Sequence, residues 1–132
     1  MDLIWNREAA AAWQDFHAAR HGSLQQAWAY GQALRALGVE IHRAEIMVGE
    51  RLIGLAQFQC RRLAGYIGLA SCSRGPLWAA DITAQEQRQA LHRLKKGIPT
   101  RPWRATVFSP EVPVDAVSAQ AMKGLHRVMT GY

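Results

Sequence analysis

Histidines, cysteines and carboxylates are the side chains of this sequence that could do chemistry, and their spacing narrows what that chemistry would be. Of the five histidines, His17, His21, His42, His92 and His126, only His17 and His21 stand at i, i+4, the spacing that sets two metal ligands on one helix face. No carboxylate completes that pair and His21 falls in the exit from the helix, so no metal site is expected. Cys60 and Cys72 show no C-x-x-C spacing, and each lies on an expected strand without an adjacent base. They read as buried, reduced thiols rather than as zinc ligands, a disulfide or a nucleophile. No serine occupies a G-x-S-x-G elbow, and Glu45, Glu50, Asp81, Glu86, Glu111 and Asp115 are scattered, with no shared pair among them. Trp28 and Tyr30 raise an aromatic platform for a sugar or nucleotide. Trp28 falls on an apolar helical stripe and reads as core, whereas Tyr30 lies off it and is the surface candidate.

These residues sit in a chain of 132 residues, 49% apolar and 20% charged, which is a globular composition and one domain's length, 1–132. The formal charge of +6 can attract nucleic acid, anionic lipid or a phosphorylated substrate. The cations are spread, with doublets only at 61–62 and 95–96, so no basic arm and no specific nucleic-acid partner are expected. The N-terminus MDLIWNREAA lacks the pattern of a signal peptide, and no apolar run reaches the length of a membrane span. A cytoplasmic protein is expected.

The elements that must position these groups can be read from periodicity. Residues 2–6 suggest an edge strand leading into a helix capped by Asn6, with Ala9, Ala12, Trp13, Phe16 and Ala19 on its inner face. His21-Gly22 ends that helix and Ser23 caps a second, in which Leu24, Ala27, Trp28, Gly31, Leu34 and Leu37 form a stripe ending at Gly38. From Ile41 the period changes to 2. Two strands joined at Gly49-Glu50 follow, with Gly54 as a candidate bulge, then a turn at Ala64-Gly65 and an interior strand, 66–72, ending in an Arg74-Gly75-Pro76 turn. Thr83 and Glu86 form a capping box for a helix whose last turn carries Lys95 and Lys96, closed by Gly97 and Pro99. A strand at 103–108, a short helix at 114–123 and a strand over the last eight residues complete the order β-α-α-β-β-β-α-β-α-β.

That order resembles the GNAT N-acyltransferase fold, an α/β (α+β) architecture with a mixed, mostly antiparallel sheet flanked by helices, here without its last strand. Gln26, Trp28, Tyr30, Gly31, Leu37 and Gly38, together with Gly54 and the Arg74-Gly75-Pro76 turn, look like the N-terminal half of the Fem-type tandem-GNAT acyltransferases. The resemblance implies a second GNAT domain, with this one shaping the acceptor site rather than performing the chemistry. It makes Glu45 the one candidate to take the amine's proton. Arg74 and Gly75, with Tyr30 and Arg35, become candidates for acceptor binding. Arg35 stands next to Leu34, where bridge-forming members often carry a lysine. Arg74 has two readings, a fork for an anionic group or a structural pair with Asp81 or a carbonyl.

A GNAT enzyme holds the acyl-CoA pyrophosphate on backbone N–H groups of a [QR]-x-x-G-x-[GA] loop at a helix N-terminus. Aligned on Arg74, this chain puts Leu77 where the first small residue belongs, Pro76 has no N–H to give, and Asp81 repels phosphate. No cofactor is therefore expected in this chain; acetyl-CoA or another acyl donor would belong to a second domain or to a homodimer partner that completes the site. The expected acceptor is a small molecule or a cell-wall precursor. Two alternatives stand beside this reading: a dimeric N-acetyltransferase using acetyl-CoA, and a basic, non-enzymatic adaptor that binds polyanions.

Overall fold

The change of period near residue 40 is where the sheet begins. In the computed structural model, which describes residues 1–63, 67–99 and 105–109, β2 (Glu40–Val48) turns at Gly49-Glu50 into β3 (Arg51–Leu63). The two strands pair antiparallel, and the register slips by one residue: Ile46 faces Gly54 whereas Met47 faces Leu52. Ile53 is the extra residue, so the expected bulge forms beside Gly54. β1 (Asp2–Trp5) adds an antiparallel edge to β2, and β4 (Ile67–Ser73) pairs antiparallel with β3. β6 (Ala105–Ser109) lies parallel to β4, giving the order β1-β2-β3-β4-β6, with β4 interior as expected. The turn at Ala64-Gly65, the helix at 114–123 and the final strand lie outside the described residues.

β5 (Leu77–Trp78) was not anticipated. After Ser71 the chain leaves β3, passes through Arg74 at φ 49° and a cis Gly75-Pro76 peptide, and returns to β3 to pair at Leu55 and Gly54. Two residues are too few to show a period, so only the tertiary pairing reveals them.

Helices cover both faces of the sheet. α3 (Ala84–Gly97) carries the expected capping box, with the Thr83 hydroxyl accepting the Glu86 N–H and the Glu86 carboxylate accepting the Thr83 N–H. It buries Ala90 and Leu94 against Ala44, Ile46, Ala56, Phe58, Cys60 and Cys72. On the opposite face α1 (Ala10–Ala19) and α2 (Trp28–Ala36) bury Trp13 and Trp28 against Leu55, the two indoles meeting edge to face with centroids 6.0 Å apart.

Three expectations at the helices are corrected. Asn6 does not cap α1. It takes φ 54°, its carbonyl oxygen accepts the Arg43 N–H at 2.8 Å and its amide reaches His42 Nδ1 at 3.0 Å, so it ties the end of β1 to β2 instead. The second helix is not continuous. Ala27 is extended, separating a 3-10 turn at Leu24–Gln26 from α2, and the carbonyls of Gln25 and Ala27 on either side of the break accept from Gln57 Nε2 of the sheet. Ser23 accordingly spends its hydroxyl on the Arg74 carbonyl, at 3.1 Å, and not on a cap. That break rotates the stripe, and its two ends, Leu24 and Leu37, are 65% and 79% exposed.

Gly31 marks the closest approach of α2 to the sheet: a Cβ there would stand 2.2 Å from Gln57 Oε1 and 2.6 Å from Arg43 Nη2. Alanine ordinarily favours a helix by about 1 kcal/mol over glycine. Here overpacking against two hydrogen-bonded groups outweighs it, and Gly31→Ala is expected to lower stability by about 2 kcal/mol in urea unfolding.

Candidate functional site

The departure of β4 from β3 leaves a gap in the sheet. β4 pairs with β3 from Gln59 onward and β5 pairs at Gly54 and Leu55, so the backbone of Gln57 faces neither strand. Gln26, fully buried at the end of the 3-10 turn, fills the gap with its side chain. Its Oε1 accepts the Gln57 N–H at 2.8 Å, and its Nε2 is shared between the Gln57 carbonyl at 3.3 Å and the Ser73 carbonyl at 2.8 Å. A carboxamide thus does the work of a strand residue. Gly75 closes over it, since a Cβ at that position would come within 2.6 Å of Gln26 Cδ.

Gln57 passes the network on to a buried cation. Its Nε2 donates to the carbonyls of Gln25 and Ala27, and its Oε1 accepts from Arg43 Nε at 2.7 Å. Arg43, 3% exposed, donates further to the Trp28 carbonyl at 2.8 Å and to Gln32 Oε1 at 3.1 Å, and its guanidinium carbon lies 3.6 Å from the centroid of the Trp28 ring. Its hydrogen-bond partners are neutral, and the indole face and the charge of Glu8 favour the cation. Burial first, then the charge of Arg35, pull its pKa down to about 10, which leaves it a cation at neutral pH.

The expected site residues separate into bound and free groups. Glu45 is buried and both its oxygens are taken by Arg7, Oε1 from Nε at 3.0 Å and Oε2 from Nη2. Arg35 is tied to Gln32 and to the Ile41 carbonyl, and Tyr30 is half-buried on α2. Gly75 is buried beneath Gln26. Arg74 is exposed, and its side chain makes no ion pair with the described residues. The pairing with Asp81 considered from the sequence is not formed, because Asp81 bonds to Arg51 at 2.8 Å.

Beside Arg74 runs a neutral polar strip that the motifs did not reveal. Gln59 and Ser71 are register partners, Ser73 follows on the same face, and the hydroxyls of Ser71 and Ser73 are 3.4 Å apart. All three are half-exposed on the sheet face that carries α1 and α2. The sequence signal was alternation: Gln57 and Gln59 in one apolar strand, Ser71 and Ser73 in the next, each pair two residues apart.

The segment between β4 and α3 is tied to β3 and to the start of α3. Pro76 has no N–H, Leu77 and Trp78 pair with β3, and the Ala79 N–H is spent on the Ile53 carbonyl at 2.9 Å. At the start of α3 the position favourable to an anion already holds the Glu86 carboxylate, which with Asp81 binds Arg51. The parallel pairing of β4 and β6 runs unbroken to Ser73 and Ser109.

No protein-family model and no curated protein matches the sequence. Among solved structures the chain is similar to a crystal structure of FemX, with a TM-score of 0.76 and 18% identity over 95% of this chain and 31% of that one. It is also similar to a crystal structure of a probable acetyltransferase, with a TM-score of 0.64 and 11% identity over 100% of this chain and 95% of that one. The fold is therefore GNAT-like and resembles part of a Fem-type protein; this chain spans less than a third of FemX. Among the described residues no helix is long and apolar enough to cross a membrane.

Two outcomes test this geometry. Gln26→Leu keeps the volume but strands the Gln57 N–H and two carbonyls, and is expected to cost at least about 2 kcal/mol in urea unfolding. Both cysteines are buried, and burial pushes the Cys60 thiol from 9.0 up to about 12 and the Cys72 thiol up as well. Neither should react with Ellman's reagent at about pH 8 until the protein is unfolded. Because the folded pKa values are raised, this contribution to stability is complete below 9.0 and is lost as the pH rises toward 12.

Proposed function

We propose that this chain is a non-catalytic GNAT-fold domain of an acyltransferase, one that supplies a wall of the acceptor site while a second GNAT domain or a partner copy binds the acyl donor. The observation that carries this reading is the segment after β4. The Ala79 N–H is committed to β3, Pro76 has none to give, and a carboxylate occupies the start of α3.

The wall itself is the strip of Gln59, Ser71 and Ser73 with Arg74 at its end. Arg74 holds a left-handed conformation that a non-glycine residue adopts at a cost, and its guanidinium is left without an ion-pair partner among the described residues. It suits an anionic group of the acceptor, with the hydroxyls and the carboxamide beside it for neutral polar atoms. Tyr30, half-buried on α2, and Arg35, held by Gln32 and the Ile41 carbonyl, are the further candidates for this wall. Glu45, held by Arg7, is not assigned the proton transfer. The short overlap with FemX accords with one domain of a larger acyltransferase.

A second reading has an observation of its own. The probable acetyltransferase is matched over 95% of its length, which favours an N-acetyltransferase of this size using acetyl-CoA.

Thermal unfolding separates the two. At about 1 mM ligand, acetyl-CoA is expected to leave the melting temperature where the same concentration of inorganic pyrophosphate leaves it. Additional stabilisation by acetyl-CoA would overturn the non-catalytic reading in favour of the second.

A further inference from the structure

The outward face of α3 is basic. Gln85, Arg88, Gln89, His92, Arg93 and Lys96 recur at i, i+3, i+4, i+7, i+8 and i+11, one face of the helix, while Gln87, Ala90, Leu91 and Leu94 are buried on the other. The stripe is about 16 Å long. Glu86, the only carboxylate of α3, is turned away from it toward Thr83 and Arg51. Arg88, Lys95 and Lys96 make no ion pair among the described residues. Arg93 Nη1 donates to the Met1 carbonyl at 2.7 Å, which holds that guanidinium in place on the surface.

Between these side chains lies an open groove of ≈ 470 Å³ lined by Gln85, Arg88, Gln89, His92 and Arg93. We propose that this groove is a binding site for phosphate groups, with Arg88 and Arg93 as the charged forks and the two carboxamides and His92 as further hydrogen-bonding groups. Guanidinium forks match phosphate oxygens in pairs. The apolar side of α3 is consumed by the core, so nothing remains for insertion into a bilayer. Separate groups form this site and the turn after β4, and neither assignment depends on the other.

Titration of the full chain with inorganic pyrophosphate, followed by calorimetry, tests the assignment. Saturable binding is expected, weakened at least about tenfold in Arg88→Gln/Arg93→Gln and by less than about twofold in Arg20→Gln/Arg61→Gln, which removes the same charge elsewhere. Circular dichroism of both variants checks that they fold. Absence of binding at millimolar pyrophosphate overturns the proposal, as does equal weakening in the two variants, which would mean general charge attraction. Binding of a single-stranded oligonucleotide with steep salt dependence, without binding of pyrophosphate, overturns it in favour of a polymer. Stabilisation by acetyl-CoA that persists in Arg88→Gln/Arg93→Gln lies outside the groove and bears on the acyl-donor question alone.

Discussion

A sheet cannot leave a buried backbone amide unpaired without losing on the order of 1–3 kcal/mol per group, and β3 faces that problem where β4 turns away from it. The Gln26 carboxamide solves it by standing in for a strand. Much else follows from its position. The chain must be extended at Ala27 to bring Gln26 to the sheet, which divides the second helix; the turn at Gly75 must pack tightly over the side chain; and α2 must approach closely enough that only glycine fits at position 31. The motif Gln26, Trp28, Gly31 and the Arg74-Gly75-Pro76 turn, distant in sequence, are two sides of one joint.

Arg43 extends that joint to the floor of the helical layer. A buried guanidinium bonded to neutral acceptors is costly unless its donors are satisfied, and Gln57, Gln32 and the Trp28 carbonyl satisfy them while the indole supplies a negative face. The alternation of Arg43 with apolar neighbours looks from the sequence like an ordinary exposed strand position. It is instead a central constraint on how α2 lies.

The segment after β4 is taken up by β5 and by the capping box of α3. Structural likeness to FemX and to a probable acetyltransferase establishes the architecture, and the architecture does not carry the chemistry with it.

The elements whose causes are local can be read from the residues in order. The hairpin at Gly49-Glu50, the bulge beside Gly54, the capping box of α3 and the end of α2 at Gly38 depend on residues within a few positions of one another. Arg74 as a charged side chain at the end of β4 was legible for the same reason. That Asn6 binds β2 rather than capping α1, that Glu45 is held by Arg7 and that Gln26 is a structural plug follow from long-range packing alone. Each of those outcomes is a hydrogen bond between residues more than thirty positions apart, and a side-chain amide or carboxylate carries no period that announces its partner. The polar strip of Gln59, Ser71 and Ser73 falls between the two cases: its alternation is written in the sequence, but the register of β3 and β4 is what makes it one surface.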